Sequence, residues 1–310
     1  MRVYLKTKNY LILFLITIFT FTLSSCSAKP VEKETARGYI WEATKDDKTI
    51  TLVGTIHIGN NSISLLNDDI KQIIDNTDIL SVELDLSLPS NLSEIQASGY
   101  LAKEDTIENY LSEDEIEKMS LTFKALEPNF NINQVENLNS YFLSSLYTNL
   151  VYSHAGISGA GLDALMINRM NSRLNKGENV QINELEGVDY QLETLNLLFS
   201  WDSLKDLINE SYEIVVVEKN AKEEPLKLLE IYKNGDIDSM AEMFNQQKID
   251  DPESYKILIL DRNILMANKI DELIKDGRNH TVAVGAGHFA GDDSILKFLE
   301  EKGYTITRIN

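Results

Sequence analysis

The chain has 310 residues, with 29 Lys and Arg against 49 Asp and Glu, for a formal charge of −20. Such an acidic chain repels phosphate backbones, which excludes a nucleic-acid binder, while a hydrophobic share of 43% excludes a mostly disordered one. The single cysteine, Cys26, leaves no intrachain disulfide and no cysteine-rich zinc or iron–sulfur site.

The chain opens on a basic stretch with Arg2, Lys6 and Lys8, followed by the apolar run Leu11–Leu23 and then Leu23-Ser24-Ser25-Cys26. This order is that of a secretory signal. The run is shorter than the roughly 20 apolar residues that span a bilayer as a helix. Leu-Ser-Ser-Cys also resembles a bacterial lipobox, whose cysteine becomes the lipid-modified first residue. The plain alternative is an uncleaved anchor with an incidental cysteine. The organisation expected is therefore a lipoprotein signal peptide at 1–25, a polar tether at 26–37 attached through Cys26, and an α/β domain at 38–310, held at the outer face of a cell membrane.

In the body, Gly38–Ala43 and Thr49–Val53 read as strands joined by a turn at Lys45-Asp46-Asp47-Lys48. Ile63–Ile74 has apolar residues at helical spacing, and Ile79–Leu84 reads as a buried strand. Strand, helix and strand in this order point to a parallel sheet. Ser112 and Glu115 fit a capping box opening the helix Ile116–Leu126, which Pro128 ends. Further helices are expected over Val135–Tyr152, Leu162–Leu174, Tyr190–Phe199, Trp201–Val217, Pro225–Lys233, Ile237–Phe244 and Ile257–Ile274. Val180–Leu185 and His280–Val284 read as strands. Ser294–Glu301 is a helix before Gly303, and Thr305–Ile309 a closing strand. The fold class expected is α/β: a mostly parallel central sheet with strands from both chain ends and a largely helical insert.

Histidine is scarce, at four residues. Two of them share a setting. Leu52-Val53-Gly54-Thr55-Ile56-His57 and Ala283-Val284-Gly285-Ala286-Gly287-His288 are each a strand-like run followed by Gly-x-x-His. Ligands of open parallel sheets gather beyond the carboxyl ends of the strands. Glu83 and Asp85 end the ILSVELD run, where an unpaired Glu83 charge is costly to bury, and Glu184-Leu185-Glu186 follows the VQIN run. Two imidazoles with a carboxylate suit a divalent first-row metal such as Zn, Mn or Co, which polarises a carbonyl. A carboxylate off the metal can serve as general base. Against this, Gly-x-x-His is common by chance, and a histidine at a strand end often serves as a hydrogen-bonded core residue. His154 and His280 read as structural or solvent-facing. No Gly-x-Ser-x-Gly elbow, phosphate loop or dinucleotide fingerprint is present.

A set of short motifs runs through the body in order: Ile40-Trp41-Glu42, Gly54-Thr55-Ile56-His57, Val82-Glu83-Leu84-Asp85, Gly161-Leu162-Asp163, Glu184-Leu185-Glu186 with Gln191, Asp261-Arg262-Asn263 and Gly285-Ala286-Gly287-His288. Together they resemble the TraB/GumN family, which includes the Tiki proteins. The resemblance implies an α/β fold like that of the erythromycin esterase and ChaN-like haem-binding groups, and a membrane-tethered, metal-dependent protease activity. It implies that His57 and His288 are metal-ligand or catalytic residues, Glu83 a catalytic or ligand carboxylate, and Glu186 a second acid. Arg262 would orient an acid or bind a substrate carboxylate, or else form a structural salt bridge. The chain departs from the family's usual Gly-Leu-Glu-Thr at Glu184 and Gly187.

The function expected is a lipid-anchored, metal-dependent hydrolase of the peptidase class, acting on a peptide or protein. The alternative is a non-catalytic lipoprotein that captures a pheromone-like peptide or haem. A third reading is an envelope scaffold.

Overall fold

The computed structural model describes residues 33–309. The signal, Cys26 and most of the tether lie outside the described residues. Among the described residues there are ten strands: β1 (Glu34–Thr35), β2 (Tyr39–Lys45), β3 (Lys48–Thr55), β4 (Ile58–Gly59), β5 (Ile63–Ser64), β6 (Ile79–Val82), β7 (Gly159–Ala160), β8 (Gln181–Glu184), β9 (His280–Gly285) and β10 (Thr305–Arg308). Six of them form one sheet in the order β10-β2-β3-β9-β6-β8. β2 is antiparallel to both β10 and β3, whereas β3, β9, β6 and β8 run parallel. β2 and β3 form the expected hairpin, turning through Asp46 and Asp47 at φ values of 50° and 61°. The mixed α/β class, with strands from both chain ends, agrees with the sequence.

The two central parallel strands are the most enclosed: every residue of β6 and of β9 is buried. Between β6 and β9 lies the helical insert. Its helices Glu113–Leu126, Ser140–His154 and Trp201–Tyr212 pack on one another, and the expected capping box between Ser112 and Glu115 is present.

Several element boundaries differ from the periodicity. The helix expected over Ile63–Ile74 begins at Asp68, because Asn67 caps it by accepting the Ile70 N–H at 2.9 Å. Ile63 and Ser64 instead pair with β1, which lays the described end of the predicted tether on the body. Val135–Tyr152 likewise starts late, as Ser140–His154, where Asn139 caps the Phe142 N–H. Apolar periodicity alone does not register such caps. Pro89–Ser98 is a helix that apolar periodicity does not mark. Ile257–Ile274 divides into a π-turn, Lys256–Leu260, and an α-helix, Asp261–Leu273. Among the described residues no helix is long and apolar enough to cross a membrane.

Candidate functional site

Since β3, β9, β6 and β8 are parallel, their carboxyl ends share one edge of the sheet. His57 follows β3, Glu83 follows β6, Glu186 follows β8 and His288 follows β9. Arg262 enters from the helix Asp261–Leu273, just past the π-turn.

Arg262 is the hub. Its Nε donates to Glu186 Oε1 at 2.6 Å, and its Nη2 donates to Glu186 Oε2 at 2.8 Å and to Glu83 Oε2 at 2.7 Å. The side chains of Arg262, Glu186 and Glu83 are 5%, 0% and 8% exposed. A planar guanidinium fork matches this two-carboxylate arrangement. Gln191 adds a donor to Glu186 Oε2 at 3.1 Å. The second oxygen of Glu83 accepts the Gly285 N–H at 2.7 Å and lies 3.8 Å from His288 Nε2. Burial alone would raise the Glu83 carboxyl, but Arg262, with His288 and His57 nearby, holds it below the ordinary carboxylate range.

The two histidines are held differently. The His57 Nδ1–H donates to Asp163 Oδ2 at 3.1 Å. Burial pushes the imidazole down, but the charge and hydrogen bond of Asp163, with Glu83 behind, outweigh it and raise its pKa to about 9. His288 is fully buried, and burial together with Arg262 lowers its pKa to about 3. Its tautomer follows from its neighbours. The Asp293 carbonyl can only accept, so Asn263 must turn its Nδ2 there, at 2.7 Å. The Asn263 oxygen then faces His288 Nδ1 at 2.6 Å, so that nitrogen carries the proton. The lone pair is left on Nε2, a buried atom without a hydrogen-bond partner among the described residues. Two imidazoles with pKa values driven apart give one proton-bearing and one neutral group at pH 7.

Local backbone keeps these groups close. A methyl at Gly161 would lie 2.2 Å from the His57 carbonyl carbon, and one at Gly287 would lie 2.2 Å from the Phe244 ring. Gly161 also leads directly into the helix Leu162–Asn175, which carries Asp163 in its first turn.

A model of the TraB/PrgY/gumN family matches residues 39–308. The chain belongs to the TraB/PrgY/gumN family. A curated protein named Metalloprotease TIKI homolog, from Amphimedon queenslandica, is 23% identical over 320 residues, an alignment that takes in 89% of this chain and 62% of that protein. The chain thus spans less than two thirds of that relative's length. No solved structure matches it.

In this TraB/PrgY/gumN member His57, Glu83, Glu186, Arg262 and His288 gather at the one sheet edge, but with unequal access. The His57 and Asp163 side chains are 17% and 20% exposed, against at most 8% for the others. Among the described residues no three His, Cys, Asp or Glu side chains stand grouped to hold a metal ion. Both Glu83 oxygens already take donors. The donor chemistry nevertheless fits a metal: each imidazole commits Nδ1 to an anchoring side chain and keeps Nε2 for a ligand, the usual outer-shell pattern of metal-binding histidines.

Asp163 and Asn263 were not assigned roles from sequence, although both lie in motifs quoted there. His280 stands at the far end of β9, with Nε2 2.6 Å from Asp276, and His154 ends the helix Ser140–His154. Glu184, where the family pattern departs, accepts the Asp85 N–H at 2.8 Å and so braces the loop after Glu83. Gly187 has a φ of 91°, a conformation that suits glycine better than threonine.

The His57–Asp163 pair makes the stability of the metal-free protein pH-dependent. A raised imidazole pKa stabilises fully below the ordinary value of about 6.5, and the contribution is lost as pH rises through about 9. Wild type is expected to lose up to about 3 kcal/mol between pH 6 and pH 10 relative to Asp163→Asn. Urea unfolding of both proteins across that range measures it; parallel curves would refute the pair.

Proposed function

We propose that this protein is a membrane-tethered, extracytoplasmic hydrolase that cleaves peptides with a divalent transition metal, Zn, Mn or Co, held by His57, His288 and Glu83. The observation that carries this reading is the buried, unpartnered His288 Nε2 facing Glu83, with Nδ1 tied to Asn263, beside a second histidine anchored in the same way by Asp163. The named metalloprotease relative supports it, as does the lipobox-like Leu-Ser-Ser-Cys for the tether.

When bound, such a metal supplies Lewis acidity toward a substrate carbonyl. The rest falls to the chain. Asn263 keeps the lone pair of His288 pointed inward. Arg262 holds Glu83 as a carboxylate, the charge state that a metal ligand needs. Glu186 uses both oxygens on Arg262 and serves as its counter-charge, which makes Arg262 an orienting group rather than a receptor for substrate carboxylates. Substrate reaches the cluster from the His57 side, where the exposed atoms lie. A metal must displace the proton that Asp163 favours on His57, so binding should strengthen as pH rises toward 9.

The test is metal content. Mature protein purified without chelators or a histidine tag is expected to carry a divalent transition metal, measured by elemental analysis and calorimetry. His57→Ala and His288→Ala should lose it. A metal-free wild type that takes up none on titration ends the proposal. If metal-loaded protein binds a peptide that is later recovered intact, capture replaces cleavage as the function.

A further inference from the structure

Away from the sheet edge, the helices Glu223–Asn234 and Ile237–Asp250 enclose a groove of about 560 Å³. Glu224, Glu230, Asp236 and Glu242 line it, with Lys227 as the one basic group. Glu230 is paired with Lys233 at 2.7 Å, and Asp236 caps Ser239. Glu224 and Glu242 enter no ion pair among the described residues. A charge cluster of this kind could be no more than a solvated surface. Gln247 argues otherwise. It lines the same groove and is 3% exposed, yet neither its Oε1 nor its Nε2 has a hydrogen-bond partner among the described residues. Burying both ends of an amide unsatisfied is costly, and a leucine there would avoid the cost.

We propose that this groove binds an extended peptide segment carrying Lys or Arg. The peptide's backbone N–H and C=O satisfy the two ends of Gln247, and its cationic side chains meet Glu224 and Glu242. Both framing helices also brace the cluster at the sheet edge. Tyr232 donates to the Gly54 carbonyl at 2.9 Å, before His57, and Phe244 packs on Gly287, beside His288. That the bound segment belongs to a substrate rests on the hydrolase reading; the binding itself does not.

Calorimetry on the full chain at low ionic strength tests it, with acetyl-Lys-Gly-Lys-amide as probe and spermidine and acetyl-Glu-Gly-Glu-amide as comparisons. The lysine peptide should bind and the glutamate peptide should not. Spermidine offers donors only and should bind at least about tenfold more weakly than the lysine peptide. Glu224→Gln with Glu242→Gln should weaken peptide binding about tenfold, whereas Glu113→Gln with Asp114→Asn, a charge-matched change on another helix, should not weaken it. Gln247→Leu should weaken it by about tenfold or more while raising Tm. Equal binding of spermidine and peptide, or a Gln247→Leu protein of unchanged affinity, overturns the proposal. Affinity for the lysine peptide should be the same with and without a chelator, so that failure of the metal site and failure of the groove are read separately.

Discussion

Replacing Arg262 with leucine is expected to destabilise the protein by about 3–5 kcal/mol or more, the largest loss for any single side chain of the cluster. The reason is what it leaves behind. Glu186 and Glu83 have side chains 0% and 8% exposed, and Arg262 supplies both with their cationic donor. Without it, two carboxylates stay buried side by side, and one must take up a proton at neutral pH. Arg262→Lys keeps the charge but not the planar fork, and should recover only part of the loss. Adding Glu186→Gln to Arg262→Leu should recover part as well, because it removes the most buried of the stranded charges. Guanidinium unfolding of the three variants measures this, and a loss below about 1 kcal/mol for Arg262→Leu would show that the network carries no net stability.

Gly161→Ala is expected to damage the site from the backbone. The added methyl would sit 2.2 Å from both the His57 carbonyl carbon and the Ile56 oxygen, with backbone rather than a mobile side chain in the way. The Leu162 N–H meets the Ile56 carbonyl at 2.8 Å at the same place, and β4 pairs with β7 alongside. Separating these chains moves Asp163 away from His57. Overpacking against side chains costs roughly 1–3 kcal/mol, and a rigid backbone contact should exceed that. The variant should also lose the pH-dependent stability of the His57–Asp163 pair. Gly187→Ala is the comparison: nothing lies within 4 Å of its added methyl, and only its backbone, with φ 91° and ψ 162° in a region held almost solely by glycine, opposes the change, for about 1–3 kcal/mol. Equal effects of the two substitutions would remove the steric argument.

Local signals located most of the sheet. The apolar runs before Gly54 and Gly285, and the run into Glu83, became neighbouring parallel strands, because a continuous apolar stretch is stable only when both faces are covered. Their end residues then had to meet at one edge. The polar anchors went unread. Asp163 and Asn263 sit on amphipathic helices where an Asp or an Asn is ordinary, and neither composition nor period marks them. Gln247 was equally silent, one glutamine on an exposed-looking helix, until its burial showed.

Hydropathy, chain direction and the repeated Gly-x-x-His were thus enough to bring out His57, His288 and Glu83, since each is a property of a few consecutive residues, whereas Glu186 stood out from Glu184 only through the family resemblance. Which nitrogen each imidazole leaves free, and which acids share one guanidinium, belonged to folding. Those contacts join residues 25, 106 and 179 positions apart, and only packing sets the distance and burial that decide where protons and charges reside.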